Sequence, residues 1–278
     1  MRSLFYIAPR PAGESSPAPS AREPARPGRL SLPQALPEHL TALLDRSRLA
    51  KPQGGVLPFE DPRVDRCLPA GGLPLGQLHE IGAAGLESET AALPACFVAA
   101  LLACIAPARP VFWIAPVSDL HPPGLLRYGL DPNRLLLVRP DKDVATLAAM
   151  ETALREGVAA AVVGEVGRFD RTASRRLQLA CLRHGCTGFV LRRWAHGRRD
   201  ADREASVAVT RWHLTPVPGV KDGREPGLPR WHVALTHARG GRPGEWIMEA
   251  SNDPTHPFRV VAALADHSTE PRRVLLAG

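Results

Sequence analysis

From residue 55 onward, short apolar runs alternate with stretches of helical period. The runs at 77–82, 110–115, 135–138, 158–163 and 188–191 are nearly continuous rather than alternating, the pattern of strands buried on both faces. Between them the spacing predicts helices over 87–106, 124–128, 144–156 and 171–184. Pro94 must lie in the first turns of the first of these or kink it. Asp143 is placed to cap the third, and Gly185 to close the fourth. Strands and helices in this order predict an α/β fold, a mostly parallel sheet with helices on both faces.

The last third follows another rule. Residues 207–215, 230–236 and 245–250 alternate apolar and polar, which predicts antiparallel strands added at the C-terminal end. Arg239-Gly240-Gly241-Arg242 separates two of them as a hairpin turn. Residues 1–33 are rich in Pro, Ser, Ala and Arg and carry few large apolar groups, the composition of a disordered tail. Leu36, Leu40, Leu43 and Leu44 recur at helical spacing and predict an amphipathic helix over 37–48. The expected organisation is a tail over 1–33, a helix and linker over 34–54, a core over 55–250 and a patternless tail over 251–278.

Composition narrows the function classes. The 278 residues are 44% hydrophobic, enough for a sizeable core. No apolar run approaches the roughly 18–20 residues needed to span a bilayer. Net charge is +7, and only Lys51, Lys142 and Lys221 of the 35 basic residues are lysine. Arginine offers a planar fork suited to phosphates and carboxylates, so nucleic acid and acidic partners are both open. Five irregularly spaced cysteines (Cys67, Cys96, Cys104, Cys181 and Cys186) argue against a secreted disulfide framework. The start lacks a signal-peptide pattern, and a cytoplasmic protein is expected. Cys181, His184 and Cys186 are not in a zinc-like spacing, so Cys181 is read as a core residue and no metal is expected.

Two stretches carry a resemblance. Val64 to Ile81, with Gly71-Gly72-Leu73-Pro74 and the ending Glu80-Ile81, resembles the RecA run that leads through the first core strand to the phosphate loop. Trp113-Ile114, Leu120-His121-Pro122, Tyr128-Gly129-Leu130-Asp131, Asn133 to Leu137 and Arg139-Pro140-Asp141 are similar to the next segments of RecA-like cores. With the Pro- and Arg-rich start and the Arg-rich end, the chain resembles the ImuA family, RecA-like proteins of bacterial SOS mutagenesis cassettes. That resemblance implies a RecA-like fold. It also implies as partners an ImuB-like polymerase homologue and, through it, an error-prone DnaE-type polymerase, with RecA or single-stranded DNA as further contacts.

The resemblance also locates a nucleotide site that has lost its chemistry. A working phosphate loop reads GxxxxGK(S/T), its backbone N–H groups and lysine holding phosphates and its hydroxyl holding Mg²⁺. The equivalent stretch here is Ala83 to Thr90: Ala83 and Ser88 replace the glycines, Glu89 replaces the lysine, and Thr90 alone matches in type. Two like charges about 4 Å apart at an effective dielectric near 20 repel by about 4 kcal/mol, so Glu89 opposes a triphosphate. In the family the second strand is followed by a water-activating Glu, where Val117 stands. The next long strand ends on an Asp that handles Mg²⁺, where Gly164 stands and Glu165 is expected on the opposite face. A non-catalytic protein without cofactor is therefore expected. The alternatives are a weak ATP-dependent DNA-binding enzyme and a SulA-like division inhibitor.

With that site inactive, binding is expected at the Arg-rich end. Arg192, Arg193, Arg198 and Arg199 follow the last parallel strand, with Trp194 among them, a combination suited to single-stranded DNA or a protein partner. Arg239 and Arg242 on the hairpin, with Trp246 as an anchor beside them, complete the expected surface.

Overall fold

The computed structural model describes residues 6–7, 38–48, 54–83, 90–117, 119–193, 206–217, 229–251, 256 and 258–266. The strands are β1 (Tyr6–Ile7), β2 (Val56–Leu57), β3 (Leu73–Pro74), β4 (Leu78–Ala83), β5 (Val111–Ile114), β6 (Leu135–Val138), β7 (Ala161–Val166), β8 (Thr187–Arg192), β9 (Thr210–Val217), β10 (Arg230–Ala238), β11 (Gly244–Ala250) and β12 (Phe258–Asp266). The helices are α1 (Glu38–Arg48), α2 (Pro62–Asp65), α3 (Ala92–Cys104), α4 (Asp143–Glu156) and α5 (Arg171–His184). A ten-stranded sheet runs β1-β6-β5-β7-β8-β4-β9-β10-β11-β12, while β2 and β3 pair separately. Pairing is parallel from β1 through β9 and antiparallel from β9 to β12. This is the expected α/β RecA-like arrangement of a mostly parallel sheet with antiparallel strands added at its end.

Each face of the sheet has its own core. α3 is apolar all round, which requires burial on every side, and its Phe97, Val98 and Leu101 pack with Ile81, Trp113, Val163, Phe189 and Trp212. Pro94 sits in the first turn of α3, where its missing N–H breaks no bond. On the other face, Met150 and Leu154 of α4 and Leu177 and Cys181 of α5 cover Phe112, Ile114, Val162 and Val190. Leu44 of α1 joins this second core. Asp170 caps α5 through a bond from the Ala173 N–H, and Gly185 ends it at φ +63°.

The Gly-Gly-Leu-Pro turn is held from beneath. A Cβ on Gly72 would sit 2.7 Å from the Leu57 carbonyl oxygen, so only glycine lets β2 pass there. The buried His79 donates from Nε2 to the Pro74 carbonyl at 2.8 Å and accepts at Nδ1 from the Thr210 hydroxyl at 2.7 Å. Thr210 in turn accepts from Trp212 Nε1. This chain ties the turn to β4 and β9, and burial lowers the imidazole pKa to about 4.

Several boundaries differ from expectation. β7 begins three residues later than the run of small apolar residues suggested, because Val158 to Ala160 are buried without joining the ladder to β5, which starts at Ala161. It also runs on through Glu165, a carboxylate the apolar pattern treated as a stop. Asp143 is the first residue of α4 rather than its cap, and its carboxylate instead accepts from the N–H groups of Gly167 and Arg168. The sheet extends past residue 250: β12 pairs with β11 across register shifts that leave Val261 and Leu264 without partners, which breaks the period-2 pattern. Within the expected tail, Tyr6–Ile7 pairs with Leu137 and Val138, and the rest of 1–33 lies outside the described residues.

Candidate functional site

The parallel strands deliver their C-terminal ends to one edge, where sheets of this kind bind ligands. β4 ends there at Ala83, and Thr90 is buried at the start of the helix that follows. Ser88 and Glu89 lie outside the described residues. Val117, just beyond β5, is 54% exposed, and Pro116 and Val117 border a cavity of about 220 Å³ that Glu165, Gly167 and Arg193 also line.

The register of β7 places Gly164 and Glu165 on opposite faces of the sheet, as strand alternation predicts. A Cβ on Gly164 would fall 2.0 Å from Met150 Sδ, so this position faces α4. Glu165 faces the opposite side, where α3 packs over Val163 and Trp113. Alternation fixes that the two residues point apart, but not which of them points to α3.

Glu165 is not free to hold a metal ion. It is buried, and both carboxylate oxygens already have donors: Trp113 Nε1 lies 2.6 Å from Oε1 and Arg193 Nη1 lies 2.7 Å from Oε2. The second arm of Arg193 reaches Asp119 at 2.6 Å. Burial pushes the Glu165 carboxyl above its usual range, opposed by the Trp113 bond and by Arg193. The Arg193 bond holds Asp119 below its usual range. The guanidinium thus bridges two carboxylates at the sheet edge, doing for their charge what a bound cation would.

This placement also corrects the expected surface. Arg193 is turned into the sheet edge. Arg192 is buried, with Nε 3.6 Å from Glu80, Nη1 bonded to the Phe169 carbonyl at 3.3 Å, and the guanidinium 5.6 Å from the Phe169 ring centroid. Arg211 approaches the other oxygen of Glu80 at 3.4 Å. Trp194, Arg198 and Arg199 lie outside the described residues. Trp246 is a core residue rather than an exposed anchor: it is 2% exposed, its Nε1 donates to the Arg63 carbonyl, and its ring lies 6.4 Å from Trp212. Trp231 is buried beside it, edge-on to Phe258. The alternating period of β10 and β11 carried this inward orientation; the neighbouring arginines obscured it.

The hairpin tip is only partly free. The Arg242 N–H donates to the Cys67 carbonyl, and a Cβ on Gly241 would lie 2.3 Å from that oxygen, so the tip rests against the chain that follows α2. Arg239 is exposed, and its Nη2 donates to the Val207 carbonyl. Cys181 and Cys186 are buried thiols, and burial pushes Cys186 up to about 12. Among the described residues, no group of His, Cys, Asp and Glu could hold a metal ion, and no helix is long and apolar enough to cross a membrane.

Comparison with known proteins gives two likenesses. The chain is 44% identical to Protein ImuA of Caulobacter vibrioides over 223 residues, which is 76% of this chain and 91% of that protein, and the match is the same in two strains. It is 26% identical to the cell division inhibitor SulA of Photorhabdus laumondii over 113 residues, 41% of this chain and 61% of that one. No family model matches.

Proposed function

The chain belongs to the ImuA family, with an ImuA-type role in a mutagenesis cassette, and from that premise we propose that it works as a non-catalytic RecA-like adaptor in error-prone DNA synthesis. It docks onto an ImuB-like polymerase homologue and through it serves an error-prone DnaE-type polymerase, with RecA or single-stranded DNA as further contacts. The observation that supports this most is the engagement of Glu165 by Trp113 and Arg193. Phosphoryl transfer needs a metal ion, a positioned cation and an oriented water. Here the strand-end carboxylate is neutralised internally, no lysine stands in the loop before α3, and Val117 offers no base. A RecA-like frame without that chemistry keeps its surfaces, and surfaces suit an adaptor. The inhibitor likeness covers 41% of the chain against 76% for the ImuA relative.

The test is co-expression of the full chain with the ImuB-like protein of the same cassette, followed by affinity capture with and without Mg-ATP. Stoichiometric co-elution that ignores nucleotide is the expected result. Absence of co-elution by a folded chain, or capture that requires ATP, overturns the adaptor reading.

A further inference from the structure

The outer face of α5 does not serve the fold. Its sequence, Arg171 to His184, contains no acidic residue. Arg171, Arg175, Leu179 and Arg183 recur every four residues and so form one stripe, and Leu182 stands beside Leu179 at the i,i+3 position. All five are exposed, Leu179 at 44% and Leu182 at 52%. Among the described residues the side chains of Arg171, Arg175 and Arg183 make no ion pair, whereas the neighbouring Arg176 is held by Glu151.

Local physics disfavours this arrangement. Arg171 in the first turn opposes the helix dipole, which favours anions there. Arg171 and Arg175 are like charges at i,i+4, which destabilises a helix. Two exposed leucines gain nothing from water. Beside this face, on the flank toward α4, lies a cavity of about 250 Å³ whose apolar wall is Val144, Leu147, Ala148 and Leu177 and whose polar wall is the Glu151–Arg176 pair with Asp170 and Thr172; Val144 is 72% exposed.

We infer that the outer face of α5 is a docking surface for an acidic amphipathic helix of a protein partner, with Arg171, Arg175 and Arg183 meeting its carboxylates and Leu179 and Leu182 meeting its apolar stripe. Charge complementarity selects an acidic occupant. The leucines select a protein over a nucleic acid: a phosphate backbone has nothing apolar to offer them, and the face carries no aromatic side chain on which a base could stack. Helix-on-helix docking through anchors at i and i+3 is the mode that fits this spacing. The inference concerns an outer helix face that shares no side chain with the cavity at the sheet edge, and it stands whether or not the adaptor reading holds.

The experiment uses the full chain and three fluorescein-labelled probes in anisotropy titrations. The first is a helical peptide of about 20 residues with leucines at i, i+3 and i+7 flanked by glutamates. The second keeps the glutamates and has serine for each leucine, and the third is an oligothymidylate of about 20 nucleotides. The wild-type chain should bind the leucine peptide at least about tenfold more tightly than the serine control, and both Arg175→Glu/Arg183→Glu and Leu179→Ser/Leu182→Ser should lose about tenfold. All these positions are exposed, so thermal midpoints should stay within a few degrees, a check that separates lost binding from lost fold. Failure to bind the leucine peptide, equal affinity for the two peptides, or variants that bind like the wild type would each overturn the inference. Tighter oligothymidylate binding that the arginine variants abolish and the leucine variants leave intact would overturn it in favour of a phosphate-binding face. Self-association lost in the same variants would overturn it in favour of a second copy of the chain.

Discussion

Arg193 Nη1 lies 2.7 Å from Glu165 Oε2 although the two residues are 28 positions apart, because β7 and β8 are parallel neighbours that end at the same edge. The pair joins a buried carboxylate to a cation whose other arm is held by Asp119. Removing the cation would strand the charge of Glu165 beside Trp113.

Arg193→Ala is therefore expected to destabilise the fold by about 3 kcal/mol, the usual consequence of breaking a buried pair from one side. Adding Glu165→Gln should recover part of that loss, since the amide oxygen still accepts from Trp113 without a charge. Urea denaturation of the single and double variants measures both effects. A double variant no more stable than Arg193→Ala would show that the charge is not what the arginine satisfies.

The buried His79 predicts a pH dependence with a definite sign. Its folded pKa is about 4 against an ordinary 6.5, so the folded state holds the neutral ring. The unfolded chain binds the extra proton between these values. Stability is full above pH 6.5, falls as pH drops through the window, and levels off below about pH 4. The total loss from this group is of the order of 3 kcal/mol. In His79→Gln this part of the slope should vanish, although the protein starts less stable. Denaturation curves at intervals between pH 7 and pH 4 give the comparison; identical slopes in the two proteins would exclude His79 as the source.

Trp246 and Arg239 should respond in opposite ways. Trp246→Ala empties a site in a packed aromatic cluster and should cost about 3–5 kcal/mol, seen as a fall in thermal midpoint. Arg239→Glu lies on the exposed side of the hairpin and should leave the midpoint within a few degrees. A stable Trp246→Ala chain that had lost only partner capture would return the tryptophan to the binding surface.

The tip of the same hairpin offers a finer test. Gly241→Ala forces a methyl group against the Cys67 carbonyl at 2.3 Å. Backbone cannot yield as a flexible side chain can, so a loss of about 1–3 kcal/mol is expected. Faster amide exchange at Arg242, whose N–H donates to Cys67, should accompany it. Unchanged exchange would mean the tip is not docked.

These results mark what the sequence could and could not disclose. Continuous apolar runs, Pro94 early in α3 and Gly185 after α5 act within a few residues, so the parallel core and its helices were legible. β12 was not, since its unpartnered Val261 and Leu264 destroy the alternation by which a strand is recognised. Trp246 sits inside because the alternating period of β11 points it there, while the sequence alone offers the arginines of the adjoining turn as an equally good reason to place it outside. The bond between Arg193 and Glu165 joins distant positions and depends on strand order, which no local pattern contains. Likewise, the outer face of α5 becomes informative only once the strands show which of its sides is covered.

We propose that this RecA-like edge does not take up nucleotide, Glu165 near the end of β7 being held by Arg193. Calorimetric titration of the full chain with Mg-ATP tests this most directly. No saturable heat up to millimolar nucleotide and no phosphate release is the expected result. A micromolar dissociation constant, or ATP turnover above the buffer rate, would contradict it.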